Sequence, residues 1–173
     1  MKVLVAVASK HGATLEIAEA IAREIKSAGL ECEVAQTADI LTLDEIDAVA
    51  LGSAVYMGRW MEDARRFVEQ YRDDLIMRPV WLFSSGPIGD PPKPEQEAID
   101  IEKVREAIRA RQHRTFPGEL SRDKLGLAEK LAANVIHAPS GDYRNWGEIA
   151  KWARSIAETL QREEAQREAR PSH

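Results

Sequence analysis

The most constraining feature of this sequence is an almost unbroken apolar run at residues 2–8, KVLVAVA. A strand with one wet face alternates apolar and polar residues, so a continuous run predicts a strand that is covered on both faces. Such strands are typical of parallel sheets that lie between two layers of helices. The run is too short to span a membrane and no cleavage-like site follows it, so we expect no transmembrane segment here.

Along the rest of the chain, short apolar runs alternate with longer segments of helical period. That alternation is typical of an α/β sheet whose parallel strands are joined by crossover helices. The half-exposed pattern at 31–36 and the Pro117 within 113–120 both suit edge strands. We therefore predict a doubly wound, five-stranded parallel sheet of order 2-1-3-4-5 in a three-layer α/β/α domain. The predicted strands are residues 2–8, 31–36, 47–52, 79–84 and 113–120.

Apolar stripes predict the helices between these strands. Ile17, Ile21 and Ile25 are spaced by four and predict a first helix that ends near Gly29. Residues 121–138 are also predicted to form a soluble helix. The stripes of the other helices are Ala64, Phe67, Val68, Tyr71 and Leu75; Ala98, Ile101, Val104 and Ile108; and, after a capping-box-like Asn145 and Glu148, Trp146, Ile149, Ala150, Ala153, Ile156 and Leu160. We expect one domain over residues 1–160 and a polar tail at 161–173 that frays.

Charge and cysteine content narrow the classes of function. The formal net charge is −5, which disfavours binding to nucleic acid and to anionic membrane surfaces. Cys32 is the single cysteine, so an internal disulfide is impossible, a metal site is unsupported and a cytoplasmic location is expected. Cys32 itself reads as a small core residue.

The predicted strand order creates a switch point, where open α/β sheets bind ligands at the carboxyl ends of their strands. It brings together the loops at 9–14, 53–60 and 85–94. The first loop joins a buried strand to the start of a helix, and its hydroxyls, glycine and unpaired amides predict an anion site. Its residues are Ser9, Lys10, His11, Gly12, Ala13 and Thr14. A capped helix without a ligand is the alternative.

Other phosphate-binding classes do not fit the first loop. The sequence has neither G-x-x-x-x-G-K-[ST] nor G-x-G-x-x-G here, which weakens ATP and NAD as ligands. A phosphate-accepting receiver domain would need acidic residues where this chain has Ser9 and Lys10.

The second and third loops contain residues suited to a flat heteroaromatic ring. Tyr56 and Trp60 are candidates for stacking on such a ring, with ordinary packing over the end of the sheet as the alternative. The peptide at Gly58 could turn its carbonyl or N–H towards the ring. The third loop, rich in glycine and proline, is too irregular for a helix or central strand and suggests a functional role.

Three segments together resemble the flavodoxin superfamily: 9–14, the GSAVYMG segment at 52–58 and the SSGP turn at 84–87. More narrowly, the chain resembles the flavodoxin-domain branch that includes menaquinone-dependent protoporphyrinogen oxidase. The similarity extends over nearly the whole chain, including GEL at 118–120 and YRNW at 143–146.

The resemblance implies a flavodoxin-like fold with non-covalent FMN. It implies a phosphate role for Ser9, His11, Gly12, Ala13 and Thr14. The ring contacts that it implies are Ala54, Val55, Tyr56, Met57 and Gly58 from the second loop, and Ser85, Gly86, Pro87, Ile88 and Gly89 from the third.

The chain departs from the family pattern in four places. His11 stands where a hydroxyl residue is usual, and Ala13 where a side-chain amide is frequent, so His11 either donates to the phosphate or caps the turn. The third loop lacks the aromatic residue that covers the ring in many flavodoxins. Residues 121–138 are short compared with the basic, aromatic insertion of the oxidase branch, which puts haem-pathway oxidase activity in doubt.

Three functions are compatible with these residues. The first is an electron carrier that needs no catalytic side chain and serves a redox partner protein or a small acceptor such as a quinone. The second is a flavin oxidoreductase for a quinone or porphyrinogen, favoured by Arg114, Phe116 and Arg122 near the expected site. The third is a flavin-free regulatory or interaction domain. The sequence leaves the oligomeric state open.

Overall fold

The fold is taken from a computed structural model, which describes residues 1–56, 58–86, 100–120 and 141–169. Its strands are β1 Lys2–Ala8, β2 Glu31–Gln36, β3 Ala48–Tyr56, β4 Arg59–Trp60, β5 Val80–Ser85, β6 Gln112–Phe116, β7 Glu119–Leu120 and β8 Gly141–Asp142. Its helices are α1 Ala13–Ser27, α2 Glu62–Gln70, α3 Arg72–Ile76, α4 Ile101–Ala107 and α5 Trp146–Glu168, with a 3-10 turn at Thr37–Asp39. The predicted helix at 121–138 and Ala98 lie outside the described residues.

The main sheet is parallel and has the order β2-β1-β3-β5-β6. This confirms the predicted order 2-1-3-4-5, because the two-residue β4 shifts the numbering of the last two strands. β1 lies between β2 and β3, with Val5 opposite Val34 on one side and Ala50 on the other. The strand with the most continuous apolar sequence is therefore central.

Alternate residues of β1 enter two separate cores. Val3, Val5 and Val7 face α1 and α5, whereas Leu4, Ala6 and Ala8 face the layer that contains α2 and α4. The predicted stripe of α1 is buried in the first of these cores. Helices on both faces explain why β1 needs apolar side chains at nearly every position.

Three predicted elements differ at their boundaries. The third strand continues to Tyr56, because β4 returns antiparallel to it and pairs Val55 with Trp60. The helix predicted across 64–75 is divided at Tyr71, whose backbone leaves the helical region and whose hydroxyl donates to the carbonyl of Ile40 at 3.0 Å. The fifth strand ends at Phe116, because Pro117 cannot donate to the ladder.

The last helix corrects two predictions. It continues to Glu168 instead of fraying after Gln161, because Glu163 accepts two hydrogen bonds from Arg111, at 2.6 and 3.1 Å. Trp146 is not part of the buried stripe, since 40% of it is exposed. Trp152, which the predicted stripe does not include, is buried in the core instead. Its indole N–H donates to the side chain of Gln112 at 2.8 Å.

Candidate functional site

Contacts among the three predicted loops place them together at the carboxyl ends of β1, β3 and β5. The ring of His11 in the first loop lies edge-on to the ring of Tyr56 in the second, with 6.3 Å between centroids. A Cβ atom added at Gly86 in the third loop would lie 3.8 Å from the carbonyl oxygen of Val55. The site predicted at the switch point is thus a single region of the surface.

The helix that follows the first loop begins at a glycine N-cap. Gly12 is the N-cap of α1, with a φ of 92°, and it has no side chain with which to make a capping hydrogen bond. An N-cap side chain would normally accept from an amide of the first turn, so the N-cap itself leaves the amides of 13–15 to another acceptor. Ser9 and His11 are half-buried, Lys10 is exposed, and Thr14 is buried in the first turn.

The second loop is a hairpin held by a buried serine. The Ser53 hydroxyl donates to the carbonyl of Ala54 at 2.8 Å and accepts from the amide of Met61 at 2.9 Å. Ala54, Val55 and Tyr56 are half-buried at the end of β3. Gly58 has a φ of 73°, which fits glycine in the turn between β3 and β4. Met57 lies outside the described residues.

Of the two alternatives predicted for Trp60, stacking on a ring and packing over the end of the sheet, the structure shows packing. Trp60 is only 2% exposed within the core, and its indole nitrogen donates to the Ser84 hydroxyl at 2.8 Å. Packing beside β3 buries the indole and provides the partner that its N–H needs. The other stacking candidate, Tyr56, is half-buried at the end of β3, and its ring contacts that of His11.

The third loop leaves β5 through Ser85 and Gly86. Gly86 has a φ of 94°, and its amide donates to the carbonyl of Phe116 at 3.1 Å. A Cβ atom at Gly118 would lie only 3.3 Å from the Gly86 amide nitrogen, so these two glycines let the backbones pack closely. Pro87, Ile88 and Gly89 lie outside the described residues.

Two polar groups near the site were not identified from the sequence. The sequence predicts no chemical role for His113. In the structure its Nε2 lies 2.8 Å from the Ser84 hydroxyl oxygen, which also accepts a hydrogen bond from the indole nitrogen of Trp60. Arg144 was noted only within the YRNW run, yet its guanidinium contacts Glu16 in the first turn of α1 at 2.7 Å. The sequence feature that could have identified this cluster is the carboxylate of Asp142, two residues before Arg144, to which the Arg144 guanidinium also donates.

Arg144 and its carboxylate partners stabilise each other's charged forms. Hydrogen bonds to Asp142 and Glu16 raise the pKa of the Arg144 guanidinium. The hydrogen bond from Arg144 in turn lowers the pKa of Asp142. Both groups therefore keep their charges at neutral pH.

The residues proposed from the oxidase resemblance are not all at the site. Phe116 is buried against Trp152, with 5.6 Å between ring centroids, and so faces the core. Arg114 is exposed on β6, and Arg122 lies outside the described residues.

Two features of the described residues bear on other kinds of function. Among them, no group of three or more His, Cys, Asp or Glu residues is placed to hold a metal ion. None of the helices within 1–56, 58–86, 100–120 and 141–169 is long and apolar enough to cross a membrane.

Comparison with known proteins points to one family. A family model described as a flavodoxin domain matches residues 4–146. Protoporphyrinogen IX dehydrogenase [quinone] of Escherichia coli strain K12 is 24% identical over 174 aligned positions, which cover 91% of this chain and 95% of that protein.

Solved structures share the fold at low sequence identity. An archaeal flavodoxin is 20% identical, with a TM-score of 0.62, and the match covers 93% of this chain and 99% of that one. The two-electron reduced flavodoxin of Megasphaera elsdenii is 18% identical, with a TM-score of 0.62 and coverages of 90% and 98%. The rubredoxin oxygen:oxidoreductase of Desulfovibrio gigas is 10% identical, with a TM-score of 0.65, and the match covers 92% of this chain but 36% of that one.

Proposed function

This chain belongs to the flavodoxin domain family, and on that basis we propose that it binds FMN without a covalent bond and carries electrons on the flavin. The observation that carries the proposal is the start of α1, where the N-cap is a glycine and so supplies no side-chain acceptor to the first-turn amides. An anion is the natural partner for such amides, because they also lie at the positive end of the helix dipole.

The first loop would hold the FMN phosphate. Within the described part of the chain, a Cβ atom at Gly12 would meet no atom within 4 Å, which supports placing a ligand next to this residue. The amides of 13–15 and the side chains of Ser9 and Thr14 are the donors that we assign to the phosphate, with Lys10 and His11 at the rim. The cation of Lys10 would favour approach of the dianion.

The second and third loops would hold the ring. Ala54, Val55, Tyr56 and Gly58 would line one edge, and Ser85 with Gly86 another. By family resemblance, Met57, Pro87, Ile88 and Gly89 complete the contacts. When bound, FMN supplies the one- or two-electron chemistry, and the protein orients its ring and tunes its potential. We assign no catalytic side chain.

The wider setting follows from the same proposal. We propose that the chain through the end of α5 at Glu168 forms one FMN-binding domain that acts in the cytoplasm, a location that suits its lone cysteine. A redox partner protein or a small acceptor such as a quinone would exchange electrons with it.

A second candidate is an FMN-dependent oxidoreductase acting on a quinone or a protoporphyrinogen. The similarity to protoporphyrinogen IX dehydrogenase [quinone] of Escherichia coli favours this candidate. The exposed Arg114 on β6 is the one described residue of the predicted set that remains accessible to an anionic substrate. Steady-state turnover of a quinone or protoporphyrinogen by the FMN-loaded protein would establish this activity, and electron transfer without such turnover would favour the carrier.

The proposal is tested first by the purified protein itself. We expect a yellow protein, or an FMN-free protein that binds added FMN in a calorimetric titration. Reversible one-electron reduction of the FMN-loaded protein would then support the carrier function. A colourless protein that ignores FMN would contradict the proposal and favour a flavin-free interaction domain.

The position of the phosphate is tested by Gly12→Ala with Gly29→Ala as a matched control. These glycines stand at opposite ends of α1, have φ values of 92° and 89°, and would each place a Cβ atom in open space. Both variants should lose about 1–2 kcal/mol of unfolding free energy, because alanine is strained in this conformation. Only Gly12→Ala should weaken FMN binding, by about 10-fold or more, because a charge-assisted hydrogen bond is disturbed. Equal FMN affinities would refute the placement.

A further inference from the structure

Arg144 lies at the centre of a cluster of carboxylates beside α1. Only 5% of its side chain is exposed. Its guanidinium donates to both carboxylate oxygens of Asp142, at 2.7 and 2.8 Å, and to Glu16 at 2.7 Å. Glu119 on β7 lies 3.4 Å away. One rigid, permanently charged group therefore faces three carboxylates from three different segments.

The same guanidinium reaches the loop that we assign to the phosphate. It donates to the carbonyl of Ala13, the first residue of α1, at 3.3 Å. It also lies 4.6 Å from the centre of the Trp146 ring, within the range of a cation–π interaction. These contacts hold the first turn of α1 against the segment between β8 and α5.

That segment is also joined to the third loop. The amide of Tyr143 donates to the carbonyl of Gly118 at 3.2 Å, and β7 pairs with β8. Gly118 in turn packs closely against Gly86. The β7–β8 pair therefore connects the start of α1 with the start of the third loop.

We propose that Arg144 is a positioning residue for the phosphate of FMN, an inference that rests on the proposed function. Its hydrogen bond to the carbonyl of Ala13 fixes the direction of the first-turn amides, and its positive charge offsets the negative charge of Glu16 in the same turn. Without this cation, three carboxylates that surround a group in contact with Ala13 would be left uncompensated, and negative charges that close to the first turn would oppose the binding of a dianion there. We assign Arg144 no direct contact with the phosphate, because its guanidinium already donates to Asp142, Glu16 and the carbonyl of Ala13.

The test compares FMN with riboflavin, which lacks the phosphate. Dissociation constants are measured by quenching of flavin fluorescence for the unchanged protein and for Arg144→Gln. We expect Arg144→Gln to weaken FMN binding by about 10-fold, and riboflavin binding by less than about 2-fold, since only FMN uses the first loop for its phosphate. A residue that merely supports the fold would weaken both ligands alike.

Arg154→Gln is the matched control. Arg154 also joins α5 to α1, through Glu24 at 2.8 Å, but it is 53% exposed, and Glu24 lies far along the helix from Ala13. We expect its FMN affinity to stay within about 2-fold of the unchanged protein, as for an exposed pair.

Three further variants extend the test, and the first two keep it decisive if Arg144→Gln does not fold. Arg144→Lys keeps the charge but loses the planar fork, so its FMN affinity should fall between those of the unchanged protein and Arg144→Gln. Glu16→Gln, at an exposed position, should raise FMN affinity, because it removes an anion near the phosphate, and a fall in affinity would contradict the charge-offsetting role of Arg144. In the double variant Arg144→Gln/Glu16→Gln, part of the lost affinity should return.

The outcomes separate this inference from the proposed function. No FMN binding by the unchanged protein would overturn the proposed function before any substitution is made. Normal FMN binding with equal losses for FMN and riboflavin in Arg144→Gln, or with no loss at all, would overturn the role of Arg144 alone. Hydrogen exchange without flavin gives an independent readout: Arg144→Gln should accelerate exchange of the Glu16 amide, which donates to the carbonyl of Gly12 at 2.9 Å at the start of α1, and unchanged exchange there would contradict the positioning role.

Discussion

Gly52→Ala should be among the most destabilising small substitutions in this protein. Gly52 lies in β3 with its backbone next to Phe83, and a Cβ atom there would lie 2.0, 2.2 and 2.4 Å from three atoms of the Phe83 ring. Carbon atoms normally approach to about 3.5–4.0 Å. The ring would therefore have to move by about 1.5 Å, as the difference between these distances shows.

The surroundings of Gly52 oppose that movement. Phe83 is fully buried, and its ring lies edge-on to that of Trp152, with 6.0 Å between centroids. β3 is paired with β1 on one side and β5 on the other, so its backbone has little freedom to shift. We expect a loss of about 3 kcal/mol of unfolding free energy, the upper part of the usual range for overpacking. At about 2–4 °C per kcal/mol, the melting temperature should fall by roughly 6–12 °C.

The assay is thermal and urea denaturation of the flavin-free protein, followed by far-ultraviolet circular dichroism. Phe83→Leu in the Gly52→Ala background should restore part of the lost stability, with a coupling free energy above about 1 kcal/mol. Gly147→Ala is the control, because a Cβ atom there would meet the Asn145 side chain at an ordinary 3.4 Å. A Gly52→Ala variant within about 1 kcal/mol of the parent, or strictly additive effects in the double variant, would refute the reasoning.

Three further predictions concern capping, thiol reactivity and acid stability. Asn145→Ala should lower the unfolding free energy by about 1 kcal/mol in thermal denaturation, because Asn145 accepts from the amide of Glu148 at 3.1 Å. Burial raises the pKa of the Cys32 thiol to about 11, so a disulfide reagent monitored by absorbance at about pH 8 should modify it only after unfolding. The hydrogen bond from Arg144 holds the pKa of Asp142 below its ordinary value of 3.8, so its stabilisation is present above that value and is lost as the pH falls through the lower, folded-state pKa. Asp142→Asn should therefore show a smaller loss of melting temperature on acidification than the parent does.

Each of these predictions has a clear contrary result. Asn145→Asp retains the side-chain acceptor and should keep most of the parent's stability, so an equal loss in both variants would contradict the capping role. Fast modification of the folded protein would contradict the burial of Cys32. Identical acid profiles for the parent and Asp142→Asn would show that this carboxylate contributes nothing to acid denaturation.

Much of the fold could be predicted because it depends on local periodicity. The unbroken apolar run at 2–8 predicts a strand covered on both faces, and β1 indeed contributes to two cores. Ile17, Ile21 and Ile25 are spaced by four, and all three are buried in α1. Strand order followed from the same patterns, because half-exposed runs belong at the edges of a sheet.

Parts of the candidate site could not be predicted, because one residue type suits several environments. Trp60 is as suitable for stacking on a ligand as for packing in the core, and only the return of β4 along β3 decides for the core. Polar residues after Gln161 suggest fraying, but Glu163 is held by Arg111 across the fold. Trp146 and Trp152 lie on the same helix, and their exposure depends on where β6 and Arg144 lie.

The sequence by itself determined the class of fold, the central strand and the position of a glycine at the start of the first helix. Those features depend on the spacing of neighbouring residues, which the backbone geometry of helices and strands turns directly into burial. Only the tertiary structure decided that Arg144 lies against Glu16, a residue 128 positions away, and that Trp60 turns inward. Contacts of that kind depend on how separate elements pack, and no local pattern along the chain specifies them.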